Sequence, residues 1–136
     1  MFGPERLKGL RAALLYWALV FAVGFVLGAV RTLWLAPQVG ALAAVAIELP
    51  LMLAASWLVA RRLIRLLGLT TPAEALTMGF AALALLLGSE AALAWAIAGQ
   101  SPGQWAAGLA TPPGALGLAG QVLFALIPLA AIGRRG

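Results

Sequence analysis

Ala12 to Val30 is a run of 19 residues without one charged side chain. Three similar runs follow. Leu35 to Ala60 carries only Glu48, Ala75 to Ile97 carries only Glu90, and Gly114 to Ile132 carries none. About 20 predominantly apolar residues are needed for a helix to cross the hydrocarbon core of a bilayer. Four such runs within 136 residues leave little chain for anything else.

Composition closes off the alternatives. The chain is 64% hydrophobic and 10% charged, where a soluble domain is about 45–50% apolar and about 25% charged. No single small core could bury so much apolar surface. Disorder needs the opposite balance, low hydrophobicity and high charge. The expected fold is all-α: a polytopic membrane protein built as a four-transmembrane-helix antiparallel bundle, one membrane domain over residues 1–136. The spans are expected at about 12–34, 38–60, 73–98 and 113–132, with a short outer segment at 101–111. The first span is too long for a secretory signal and lacks a small-residue cleavage site, so it reads as retained.

Local punctuation fits these limits. Pro37 and Gly40 mark a tight connection between the first two spans. Gly68 follows the basic turn Arg61-Arg62-Leu63-Ile64-Arg65 and suits a left-handed helix cap. Thr71-Pro72-Ala73-Glu74 reads as a capping box with proline at the first helical position, and Ser101-Pro102-Gly103-Gln104 repeats the pattern.

Orientation follows from basic residues in short loops. Arg6, Lys8 and Arg11 precede the first span, Arg61, Arg62 and Arg65 follow the second, and Arg134 and Arg135 follow the fourth. With four spans these eight share one side, against Arg31 alone on the other. Both termini are therefore expected in the cytoplasm. Tyr16, Trp17 and Trp57 fall near one interface and Trp34, Trp95 and Trp105 near the other, as an aromatic belt would. A net charge of +5 is then accounted for by helix-end anchors facing an anionic leaflet, without nucleic acid as a partner.

The chain contains no Cys, His, Asp or Asn. Thiol chemistry, Cys/His metal sites, axial haem ligation by those residues and a Ser-His-Asp device cannot be built from it. No catalytic residue, metal site or cofactor is expected. A lipid-modifying enzyme with Glu as base would lack the rest of its machinery, and the chain reads as a non-enzyme.

Ionisable groups in hydrocarbon cost about 2.5–3.5 kcal/mol each at a helix centre on insertion scales, and they face the protein interior. The candidates are Arg31, Glu48, Glu90 and the amide Gln121, one per span. At about 1.5 Å rise per residue all four fall in the outer half of the bundle. Gly24 and Gly28 form a G-x-x-x-G stripe on the face that carries Arg31. Gly114, Gly117 and Gln121 share a face of the fourth span. Gly24, Gly28 and Gly117 are accordingly expected to pack helices closely, and Pro50 to kink the second span beside Glu48. Arg31 is expected to pair with Glu48, Glu90 or both, with Gln121 and Ser89 completing the hydrogen bonds. One arginine cannot compensate two carboxylates, and Glu48, the deeper, is the one expected to be protonated.

Gly24-Phe25-Val26-Leu27-Gly28 with Arg31, Pro37, Gly40, Glu48-Leu49-Pro50, Met52 and Ala60-Arg61 resembles a group of small, uncharacterised four-span proteins of the bacterial inner membrane. Glu90 and Pro128 fit the same group. The resemblance implies the architecture and that location, and carries no activity.

Two functions remain open on the residues. The first is an accessory or scaffolding protein whose polar cluster holds its bundle together, with the bilayer, a membrane-protein partner or further copies of itself as its contacts. The second is a small proton-coupled transporter or exporter that uses Glu48 or Glu90.

Overall fold

Apolar side chains are spread around every long segment, and a helix satisfies its own backbone wherever those side chains meet lipid. The computed structural model describes residues 4–133, with side chains placed for 7–132. Arg6, Arg134 and Arg135, three of the eight orienting basic residues, and Glu5 fall outside the described side chains. Among the described residues no strand occurs. The elements are α1 (Pro4–Val30), a π-helical stretch (Arg31–Leu35), α2 (Ala36–Val39), α3 (Ala41–Leu67), α4 (Pro72–Ala98), α5 (Pro102–Gly108) and α6 (Pro112–Gly133). Four helical segments are long and apolar enough to cross a membrane: Leu7–Val39, Ala41–Leu67, Pro72–Ala98 and Pro112–Ile132. This is the signature of a multi-pass membrane protein.

The first two segments run past the limits that charge-free stretches suggest. Lys8 and Arg11 lie inside α1, and Arg61, Arg62 and Arg65 inside α3. Long basic side chains are good helix formers and reach out of an apolar layer along their stems, so a charge ends the apolar run without ending the helix. Pro37 likewise lies within helix and not in the connection. Its ring would meet the carbonyl four residues back and it has no amide to donate. The chain passes it by widening into the π-helical stretch, where the Ala36 amide donates to the Arg31 carbonyl. The connection is Gly40 alone, at φ +89°, ψ 159°, which a side chain would oppose.

The helix ends follow local chemistry. Gly68 takes the left-handed conformation (φ +72°), and its amide and that of Leu69 both donate to the Ile64 carbonyl at 3.0 Å. Thr71 and Glu74 form a reciprocal capping box at the start of α4, as do Ser101 and Gln104 at the start of α5.

α1 packs against α3 and α4, and α6 packs against the same two, so the four long helices close a ring with α1 and α6 across a diagonal. The ring is tight at the Gly68 end. Alanines 12, 13, 60, 82 and 131 pack there around Tyr16, Ile64, Leu69 and Met78, all buried. Gly79 of α4 lies so close to Ala125 of α6 that any added carbon would strike the Ala125 backbone. A corner ties three helices together: Lys8 donates to the Gly68 carbonyl at 3.1 Å and stands 3.4 Å from the buried Glu74 carboxylate. Large side chains such as Leu14, Val26, Leu58, Phe80 and Trp95 stay exposed on the outside, as suits a lipid-facing surface.

Candidate functional site

At the Gly40 end the ring opens. A cavity of about 720 Å³ lies between the helices, lined by Arg31, Glu48, Glu90 and Gln121 among mostly apolar walls. Each polar group reaches it from a different segment: Arg31 from the π-helical stretch, Glu48 from α3, Glu90 from α4 and Gln121 from α6. Arg31 and Glu48 are placed by the turn between their helices. They stand nine and eight residues from Gly40, so a hairpin reversing there brings them level. The Arg31 Nε donates to Glu48 Oε2 at 3.1 Å, with the side chains 33% and 17% exposed. The pair is therefore reachable from outside the bundle.

Glu90 has a different partner. The Gln121 Nε2 donates to Glu90 Oε1 at 2.6 Å. The other atom of that amide, Gln121 Oε1, is buried and accepts no hydrogen bond. The cluster thus divides into an ion pair, Arg31–Glu48, and a carboxyl–amide pair, Glu90–Gln121. The carboxyl without a bonded cationic partner is Glu90, not Glu48 as depth alone suggests.

Three expected members are placed elsewhere or otherwise. Ser89 does not join the cluster: it accepts from Trp17 Nε1 at 3.0 Å and donates to the Leu85 carbonyl at 2.7 Å. It lies next to Glu90 in sequence, so about 100° around the helix, and faces α1 instead. Gly28 and Gly117 line the cavity. A carbon added at Gly117 would meet nothing within 4 Å, and one added at Gly28 would meet only the Arg31 guanidinium, at 3.5 Å. Their small size makes room in place of packing helices. Gly24 does pack, with the Met52 methyl 3.2 Å from where its Cβ would stand. Pro50 lies inside α3, two residues beyond Glu48.

The cavity has a floor that the residue pattern did not reveal. Tyr16 is fully buried, its ring stacked on Phe124 at 4.3 Å between centroids. Its hydroxyl donates to the Phe124 carbonyl at 2.7 Å. Phe124 itself lines the cavity, as do Ser56 and Val20. Tyr16 and Trp17, read from sequence as interfacial anchors, are thus engaged inside the bundle. The missed signal is Pro128. It has no amide to bond the carbonyl four residues back, which is that of Phe124, and a buried orphan carbonyl requires a donor from elsewhere.

Aromatic and aliphatic side chains, including Phe21, Phe25, Met52, Leu86 and Phe124, supply most of the wall. An apolar enclosure of several hundred Å³ with a few convergent polar groups is the usual form of a small-molecule site. Among the described residues no group of three or more His, Cys, Asp or Glu side chains is arranged to hold a metal ion. Comparison with protein-family models, with curated proteins and with solved structures returned no match to this chain. The resemblance noted above therefore rests on its residues alone.

Proposed function

We propose that this chain is a small inner-membrane protein of bacteria that binds a small molecule in the cavity at its Gly40 end and couples its movement to a proton. In this reading the bundle is antiparallel with both termini cytoplasmic. Lys8, Arg11, Arg61, Arg62 and Arg65 lie at the Gly68 end and Arg31 alone at the other, and an excess of basic residues marks the cytoplasmic side. The observation that carries the proposal is the cavity itself. Polar groups that serve only to hold helices together would be sealed among side chains, whereas here both carboxylates and the arginine line open space. The tightly packed Gly68 end and the Tyr16–Phe124 floor close the other side, as one closed gate of an alternating-access cycle would. Glu90 is the proton carrier, because a ligand and a proton compete for the carboxyl that has no cation bonded to it.

The test is proton-linked flux in liposomes, read with an enclosed pH-sensitive dye, for the wild type, Glu48→Gln and Glu90→Gln. Loss of coupling in Glu90→Gln is expected. Equal flux in all three would eliminate transport.

A second reading, an accessory or scaffolding subunit, is favoured by a shallow apolar groove on the outer face of α3 and α6. Leu53, Trp57, Leu123 and Ile127 line it, and a helix of a membrane partner or of a second copy would fit there. Stoichiometric recovery of a partner in mild detergent would support that role.

A further inference from the structure

We infer that the ligand of the cavity presents an ammonium group bearing at least one N–H on an apolar body. The inference rests on reading the cavity as a ligand site, and it does not depend on coupling to a proton.

The argument starts from charge. Two carboxylates and one guanidinium face the cavity. The guanidinium is committed to Glu48 at contact distance, which leaves that pair close to neutral. Glu90 is held only by an uncharged amide donor. An anion entering here would be repelled by Glu90 and would have to displace Glu48 from Arg31. A neutral body would leave the carboxylate charge in an apolar enclosure uncompensated, which is costly. A cation offsets it.

The second observation concerns hydrogen bonding. Gln121 Oε1 is a buried acceptor with no donor, on the same amide that holds Glu90. The assignment of oxygen and nitrogen within the amide follows from that bond, since a carboxylate can only accept. Two neighbouring acceptors, one charged and one neutral, both call for donors. An ammonium carrying N–H supplies both the charge and the hydrogen, which a quaternary ammonium cannot. The rest of the wall is apolar, with the faces of Phe21, Phe25 and Phe124 available to the body of the ligand and to its charge.

This chemistry has two sources, a free amphipathic amine or the ethanolamine headgroup of a lipid. The experiment uses one apolar body with four heads: 1-adamantylammonium, its N,N,N-trimethyl derivative, 1-adamantanol and 1-adamantanecarboxylate. Each is titrated calorimetrically into the full chain in dodecyl maltoside. The ammonium should bind best. Glu90→Gln should weaken it by about tenfold to a hundredfold, the range for a charge-assisted hydrogen bond. Gln121→Leu should weaken it by about fivefold and leave the trimethyl compound unchanged. Glu48→Gln, which frees Arg31, should let the carboxylate bind, a gain that misfolding cannot mimic. Repeating the titration in nanodiscs separates the sources. Competition by phosphatidylethanolamine assigns the ammonium to lipid, and its absence assigns it to a free amine. Preference for the carboxylate or the alcohol would overturn the inference while leaving the cavity a ligand site. So would equal ammonium binding in the wild type and Glu90→Gln. Binding of none of the four would overturn the cavity reading with it.

Discussion

The Tyr16 hydroxyl caps a carbonyl that Pro128 has left without a donor. Pro128 lies four residues after Phe124 in α6 and has no amide, and the Tyr16 hydroxyl, from the helix across the diagonal of the ring, donates to the Phe124 carbonyl at 2.7 Å. A proline that would weaken one helix is thereby turned into a fixed contact between two helices that are not ring neighbours.

This predicts a specific coupling. Tyr16→Phe keeps the stacked ring and removes the hydroxyl, leaving a buried acceptor unpaired. Thermal unfolding in detergent should show a loss of about 1–3 kcal/mol. Pro128→Ala restores an amide that can bond the Phe124 carbonyl within α6. In that background Tyr16→Phe should cost much less, and equal costs in both backgrounds would refute the coupling.

The Arg31–Glu48 pair should contribute modestly and reciprocally. Arg31→Met or Glu48→Leu alone strands a charge, and each should destabilise by about 1–2 kcal/mol, the upper part of the range for polar contacts between membrane helices. The double variant removes both charges and should recover most of that loss. Additive losses in the unfolding midpoint would show that the two residues act separately.

Glycines divide by what faces them. Gly79→Ala drives a methyl into the Ala125 backbone. It should separate α4 from α6 and cost about 1–3 kcal/mol or more. Gly88→Ala and Gly117→Ala meet open space and should leave the unfolding midpoint unchanged or slightly raised, since alanine is the better helix former by about 1 kcal/mol. A midpoint in Gly79→Ala equal to that of Gly88→Ala would refute the close approach.

The corner at the Gly68 end should be the most sensitive polar site for folding. Glu74 accepts from the Thr70 and Thr71 amides at 2.8 and 3.0 Å and stands beside Lys8. Thr71→Ala removes one half of the capping box and should cost about 0.5–2 kcal/mol. Glu74→Ala removes the other half along with the tie to α1 and should cost more. Hydrogen exchange at the first turn of α4 would rank the two.

Much of this fold was legible in the residues. Runs without charge located the four long helices, because hydrocarbon excludes charges wherever they stand along a helix. Gly68 and the Thr71–Glu74 box were legible because caps are local chemistry. The same reasoning ended the first helix too early at Pro37, since a proline can be absorbed by a π-helical stretch as well as by a turn. The four cavity residues were found because intramembrane polar groups are so few. Their pairing was not, because whether Glu48 or Glu90 meets Arg31 depends on the turn at Gly40, which sets two helices in register. Ser89 was misplaced because a serine beside a glutamate in sequence points a quarter-turn away in a helix. Tyr16 was misplaced because an amphipathic ring suits an interface and an orphan carbonyl equally well, and only the partner on α6 decides.

The π-helical stretch has a consequence for how this protein tolerates changes of length. A π turn holds one more residue than the α turn it replaces. Deleting a single residue between Thr32 and Leu35 would let that turn relax into ordinary helix, with no loss of backbone bonding. Everything after it would rotate by about 100° around the axis of α1. Gly40 would then send α3 off in another direction, and Glu48 would no longer come level with Arg31. One residue of surplus chain thus acts as an angular spacer. The polar wall of the cavity depends on that residue count as much as on the identity of the residues that line it.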